Sequence, residues 1–137
     1  MVEHSCRACV LHCMDFRFHD HLRALMRQEG LDADRADVIR VAGSAKNLAR
    51  PDDPRDRERL LEMFQTSVDL HHARQFYLIN HEDCGSYGPE VITDDDEEID
   101  IHHEDLRRAG ILLAERFPGI EVICSFVWED GQIDRVD

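Results

Sequence analysis

Phe76-Tyr77-Leu78-Ile79-Asn80 is an apolar run of strand length, and it is followed at once by His81-Glu82-Asp83-Cys84-Gly85. A strand that ends on a histidine and a cysteine three residues apart presents two donors on one tight turn, a spacing suited to a single metal ion. Two ligands do not complete a zinc site. The fold must therefore bring further donors to this turn from elsewhere in the chain, which limits the architectures that make sense.

The pattern on either side supplies one. Cys9-Val10-Leu11-His12 is a short apolar strand, followed by Cys13-Met14-Asp15-Phe16-Arg17 and a helix marked by Phe18, Leu22, Leu25 and Met26 up to Gly30. A second strand, Asp37 to Val41, closes on Ala42-Gly43-Ser44, and Asn47 to Pro54 has the composition of a turn-rich loop. From Arg55 onward Leu60, Leu61, Phe64 and Val68 form an amphipathic stripe leading into the strand Gln75 to Asn80. Beyond the His-x-x-Cys turn, Asp94-Asp95-Asp96-Glu97-Glu98 reads as a solvated loop; it lacks the spacing of a calcium loop. Leu106, Ala109, Leu113 and Phe117 mark a last helix, Ile120 to Trp128 a long strand, and Asp130-Gly131 a hairpin that returns Gln132-Ile133-Asp134 as an antiparallel edge.

Strands alternating with helices imply an α/β fold: a mainly parallel β-sheet flanked by helices on both faces, with a C-terminal antiparallel hairpin strand. Its 137 residues suffice for a single domain, residues 1–137, and no Gly/Pro/Ser-rich linker divides them. In such a sheet all parallel strands end at one edge, where ligands bind at the point of strand-order reversal. If the first and third strands are neighbours, Cys13 joins His81 and Cys84.

Charge and cysteine usage exclude other classes. Sixteen Lys+Arg against 30 Asp+Glu give a net charge of −14, which repels nucleic acid and anionic membranes. No apolar run approaches the roughly 20 residues of a membrane span, and Met1-Val2-Glu3-His4-Ser5-Cys6 has no signal-peptide character, so a cytoplasmic location is expected. Five cysteines, an odd number in a chain of this size, point to metal or thiol chemistry rather than a disulfide framework.

Two thiolates and an imidazole with a fourth place free form the pattern of a catalytic zinc. Asp15 and Arg17 stand close enough to Cys13 for a guanidinium to hold a carboxylate through paired hydrogen bonds. With Cys13-Met14-Asp15-Phe16-Arg17, Arg40-Val41-Ala42-Gly43 and His81-Glu82-Asp83-Cys84-Gly85 in this order, the chain resembles the β-class carbonic anhydrases. The resemblance implies Zn2+ on Cys13, His81 and Cys84, and reversible hydration of carbon dioxide to bicarbonate by a metal-bound hydroxide. It implies catalytic roles for Asp15, which accepts a hydrogen bond from that hydroxide, and Arg17, which holds Asp15 off the metal. It further implies substrate contacts at Gly43 and Gly85, and a homodimer or higher homo-oligomer. Two thiolates cancel the formal charge of zinc, so activity is expected to favour alkaline pH. The chain departs from the family in having only 12 residues before Cys13, too few for the usual N-terminal arm, and Val41 where asparagine is common.

The alternatives are a zinc hydrolase of the same fold acting on carbonyl sulfide or carbon disulfide, and a non-catalytic zinc-stabilised binding module. Cys6 and Cys9 form a Cys-x-x-Cys pair, read first as apolar filler and second as redox or cluster ligands. Cys124 is expected in the core. His19, His21, His71, His72, His102 and His103 are expected on exposed polar faces, while His12 adjoins a ligand and is positioned to orient it. Tyr87 and Phe16 either line a pocket or pack.

Overall fold

A computed structural model describes residues 4–32 and 35–137. Five strands, β1 (Ala8–His12), β2 (Ala36–Arg40), β3 (Gln75–His81), β4 (Glu121–Val127) and β5 (Ile133–Val136), form one sheet of order β2-β1-β3-β4-β5. The first four run parallel and β5 is antiparallel to β4. This is the α/β architecture that the strand–helix alternation predicts. The strand order reverses between β1 and β3, because β2 lies on one side of β1 and β4 on the far side of β3.

The two central strands are apolar on both faces, as strands covered from both sides must be. Ala8 and Val10 of β1, with Tyr77 and Ile79 of β3, pack against Leu22 and Leu25 of α1 (His19–Gln28). Cys9 and Leu11, with Phe76 and Leu78, face the opposite layer. That layer consists of α2 (Lys46–Ala49), α3 (Pro54–His71) and α5 (Glu98–Arg116). In α3, Asp53 caps the start by accepting the Arg55 N–H at 2.9 Å, and Pro54 occupies the first turn, where its missing donor costs nothing. The helix ends at His71, with His72 left-handed at φ 59°.

Two segments differ from the expectation of open loops. Within Asn47 to Pro54, residues up to Ala49 complete α2, because Leu48 is drawn into the core and Arg57 Nε donates to its carbonyl at 2.7 Å. In the acidic run, Asp94 accepts the Asp96 N–H at 3.0 Å to start a 3-10 turn over Asp95–Glu97, and α5 begins at Glu98. Negative side chains are favoured at a helix N-terminus, so the run is solvated yet also starts a helix. A further short helix, α4 (Gly88–Val91), follows the His-x-x-Cys turn. Among the described residues no helix is long and apolar enough to cross a membrane.

The layer over α3 is anchored by Phe64, fully buried with its ring 4.6 Å from that of Phe76. Phe64→Ala is expected to cost about 3–5 kcal/mol through lost transfer energy and an unfilled cavity. Urea unfolding followed by far-UV circular dichroism checks this.

Candidate metal centre

Register does the first part of the assembly. His12 pairs with Ile79, so Cys13, the next residue of its chain, emerges beside Asn80 and His81 at the carboxyl edge of the sheet. The donor atoms of Cys13, His81 and Cys84 all lie within 4.8 Å of one another, and the three residues are buried. The expected convergence of these three is therefore present. Asp83 adopts a left-handed φ of 55° in the turn between His81 and Cys84, a conformation tolerated better by aspartate than by most residues.

The loop after β2 closes over the cluster. Gly43 has φ +87°, and a Cβ there would stand 3.0 Å from Ser86 Cβ, so glycine lets this loop press against the Cys84 turn. The Gly43 and Asp15 backbone N–H groups are directed at the Cys13 sulfur, and Ser86 donates to that of Cys84. Next to Gly43, Ser44 Oγ donates to the Ile79 carbonyl at 2.7 Å and ties the loop to β3.

The donor set fits a tetrahedral cation. His81 Nδ1–H donates to the Glu82 carbonyl at 2.7 Å, which leaves Nε2 as the lone-pair nitrogen. That Nε2 is buried without a hydrogen-bond partner, a costly arrangement unless something else bonds it. The ring is held by stacking on Phe18, with centroids 4.1 Å apart at 28°. A hydrogen bond from Cys84 holds the Cys13 thiol far below its ordinary value, while that same contact and burial push Cys84 up. The pair thus shares one proton between two sulfurs, and a divalent cation in its place lets both ionise.

Asp15 and Arg17 meet as their spacing predicts. Arg17 Nε lies 3.1 Å from both Asp15 oxygens, Nη2 is 2.6 Å from Oδ2, and the Arg17 backbone N–H reaches Oδ1 at 2.9 Å. Asp15 Oδ2 is 3.9 Å from His81 Nε2, adjacent to the cluster. Local sequence gave no sign of Arg17's second set of contacts. Arg17 also donates to the Asp83 carbonyl at 2.9 Å and to Asp83 Oδ2 at 3.1 Å, locking the segment after β1 onto the turn after β3. Asp83 in turn donates its backbone N–H to Glu98 at the start of α5. Only a charge at the middle of the His-x-x-Cys turn hinted at this.

Behind the turn lies a polar layer. Asn80 donates to Tyr87 Oη at 2.8 Å and to His102 Nδ1 at 3.0 Å, and its Oδ1 accepts the Ala45 N–H at 3.1 Å. His102 is fully buried, which corrects its expected place on an exposed helix face; α5 starts early enough to turn it inward, where burial pushes it down to about 3. Tyr87 packs against Cys13 and Cys84, whereas Phe16 stays 81% exposed. His12 is buried with Nδ1 2.8 Å from the Cys13 carbonyl, against the backbone of the cluster rather than in it. Gly85 is exposed, with open space where a Cβ would stand. Cys9 and Cys124 are core residues.

Fold and site together define an α/β protein with three metal-type donors and a carboxylate–guanidinium pair at the switch point of a mainly parallel sheet. The family model described as "Putative carbonic anhydrase" matches residues 3–137, and the chain belongs to that family. An uncharacterized protein of Rickettsia bellii is 27% identical over 131 residues, covering 93% of this chain and 79% of that protein. Among solved structures, the carbonic anhydrase of Glaciozyma antarctica matches with a TM-score of 0.67 at 17% identity, over 100% of this chain and 85% of that one. A tetrameric β-carbonic anhydrase of Sordaria macrospora matches at 0.66 and 17% identity, over 97% and 81% of the respective chains. The fold is that of the β-carbonic anhydrases.

Hydrogen bonds from Arg17 hold the Asp15 carboxyl down to about 2, below its ordinary value of 3.8. Because the folded value is the lower one, the pair's contribution to stability is complete above the ordinary value and is lost as pH falls through about 2. In Arg17→Gln the Asp15 titration, followed by carboxyl-carbon NMR, is expected to move up toward the ordinary carboxylate range, and the acid limb of the stability profile to shift with it.

Proposed function

We propose that the protein is a zinc-dependent carbonic anhydrase, with zinc on Cys13, His81 and Cys84 and with Asp15 and Arg17 as its catalytic pair. The observation that carries this reading is the orphaned, buried Nε2 of His81 within reach of two thiols and beside a carboxylate fixed on Arg17. Bound zinc supplies Lewis acidity, making coordinated water acidic enough to ionise near neutral pH. Asp15 would accept a hydrogen bond from water held at that ion and so orient it toward the substrate. Arg17 occupies both Asp15 oxygens and fixes the carboxylate 3.9 Å from His81 Nε2, where it would stay beside a bound ion as an acceptor. Gly43 contributes by letting its loop close on the Cys84 turn, and exposed Gly85, with open space where a Cβ would stand, leaves room for a small linear molecule.

Electrostatics favours a neutral substrate. Glu82, Asp83, Glu98 and Glu129 line a cavity beside the His-x-x-Cys turn in a chain of net charge −14. Such a field leaves the entry of carbon dioxide unaffected and favours departure of bicarbonate. The same reading carries assembly into a homo-oligomer, with exposed Met14 and Phe16 beside the site as the surface to be covered.

Stopped-flow hydration by zinc-loaded protein is expected to rise toward alkaline pH. Asp15→Asn should keep its zinc and lose roughly 10²-fold or more in turnover. A binding module would be indifferent to that change. Turnover of carbonyl sulfide or carbon disulfide with no hydration of carbon dioxide would assign the site to the hydrolase instead.

A further inference from the structure

Among the described residues one further group combines three metal-type donors, Cys6, Asp37 and His71, whose ligand atoms also lie within 4.8 Å of one another. It sits at the opposite end of the sheet from the Cys13 cluster. Cys6 precedes β1, Asp37 is the second residue of β2, and His71 is the last residue of α3. These positions are fixed by backbone: the Cys6 N–H donates to the His71 carbonyl at 2.9 Å, and Asp37 pairs with Cys9 in the β1–β2 register. Asp37 Oδ2 is the hub. It stands 3.6 Å from Cys6 Sγ, 2.8 Å from His71 Nδ1 and 2.7 Å from the Ser67 hydroxyl.

We propose that Cys6, Asp37 and His71 form a second zinc site, separate from the catalytic one, that fastens the starts of β1 and β2 to the end of α3. A thiolate, a carboxylate and an imidazole are the donors zinc takes in proteins. Tetrahedral zinc sets its ligand atoms roughly 3.3–3.8 Å apart, a spacing the Cys6–Asp37 distance already has. The His71–Asp37 hydrogen bond opens by roughly half an ångström on loading, to reach that tetrahedral spacing. Ser67 holds the carboxylate as an outer-sphere donor. A surface cavity of about 270 Å³, lined by Cys9, Asp37, Met63, Ser67 and His71, reaches the Asp37–His71 side of the group from solvent. Protons balance simply. Cys6 releases its thiol proton to solvent, the Nδ1 proton of a neutral His71 is exchanged for one at Nε2, and one proton leaves per ion bound.

The test counts zinc per chain by elemental analysis after metal-free full-length protein is dialysed against zinc. Wild type is expected to hold two equivalents, and Cys6→Ala, His71→Ala and Cys13→Ala one each. Counts in Cys6→Ala and His71→Ala equal to wild type would overturn the second site. So would a single wild-type ion that only Cys13→Ala removes. A single ion lost in Cys6→Ala and kept in Cys13→Ala upholds this site and sinks the catalytic one. Cobalt provides a readout that does not depend on the first cluster: in Cys13→Ala/Cys84→Ala, thiolate-to-cobalt absorption must appear, and must vanish when Cys6→Ser is added. Its absence from the double variant, with native circular dichroism, overturns the proposal.

Discussion

The parallel pairing of β1 with β3 sets His12 beside Ile79, and from that register Cys13 emerges level with the turn that carries His81 and Cys84. A slip of one residue would turn Cys13 to the other face of the sheet and leave the turn with two donors. Register is protected because both faces of both strands are buried: Val10 and Tyr77 toward α1, Leu11 and Leu78 toward α3 and α5. The hydrophobic core thus does chemical work at a distance, by fixing which atoms meet at the sheet's edge. The strand order reverses at this same pair, the position where open α/β sheets bind their ligands.

Where the strands end, polar contacts take over from packing. Arg17 joins Asp15 to the Asp83 carbonyl, Ser44 joins the β2 loop to β3, and Asn80 bonds Ala45, Tyr87 and His102 through both its donors and its oxygen. Each group is satisfied by a neighbour from a different element, so the edge behaves as one cross-braced unit. Within it, His81 Nε2 is buried without a hydrogen-bond partner, as is His102 Nε2 behind it, but only the His81 nitrogen stands among metal-type donors. The His81 orphan faces two thiols, where a cation would bond it.

The sequence carried the fold and the cluster because both rest on local signals. Strand-length apolar runs, helical stripes at Leu60, Leu61 and Phe64, and the Cys-x-Asp-x-Arg and His-x-x-Cys spacings each lie within a few residues. The long-range polar partners were hidden. Nothing near Arg17 announces Asp83, since their pairing depends on the β1–β3 register. His102 looked solvent-facing because its neighbours Asp100, His103 and Glu104 are polar, and only the early start of α5 at Glu98 rotates it beneath Tyr87. The acidic run misled in a related way: low hydropathy signals solvation equally in a loop and in the first turn of a helix.

The two ends of the sheet solve different problems with similar donors. At the carboxyl edge the donors are buried, and surrounding N–H groups and a guanidinium define what can approach them. At the amino edge Asp37 and His71 are about one-third exposed, and their partners are the ends of elements. A carboxylate that already accepts from a serine and an imidazole is an anchor, since its charge is spent on holding α3 to β2. Asp15 differs because its hydrogen bonds come from Arg17, which fixes its orientation while Oδ2 stays 3.9 Å from His81 Nε2 in the cluster. Chemistry at one edge and fastening at the other follow from how completely each carboxylate is engaged.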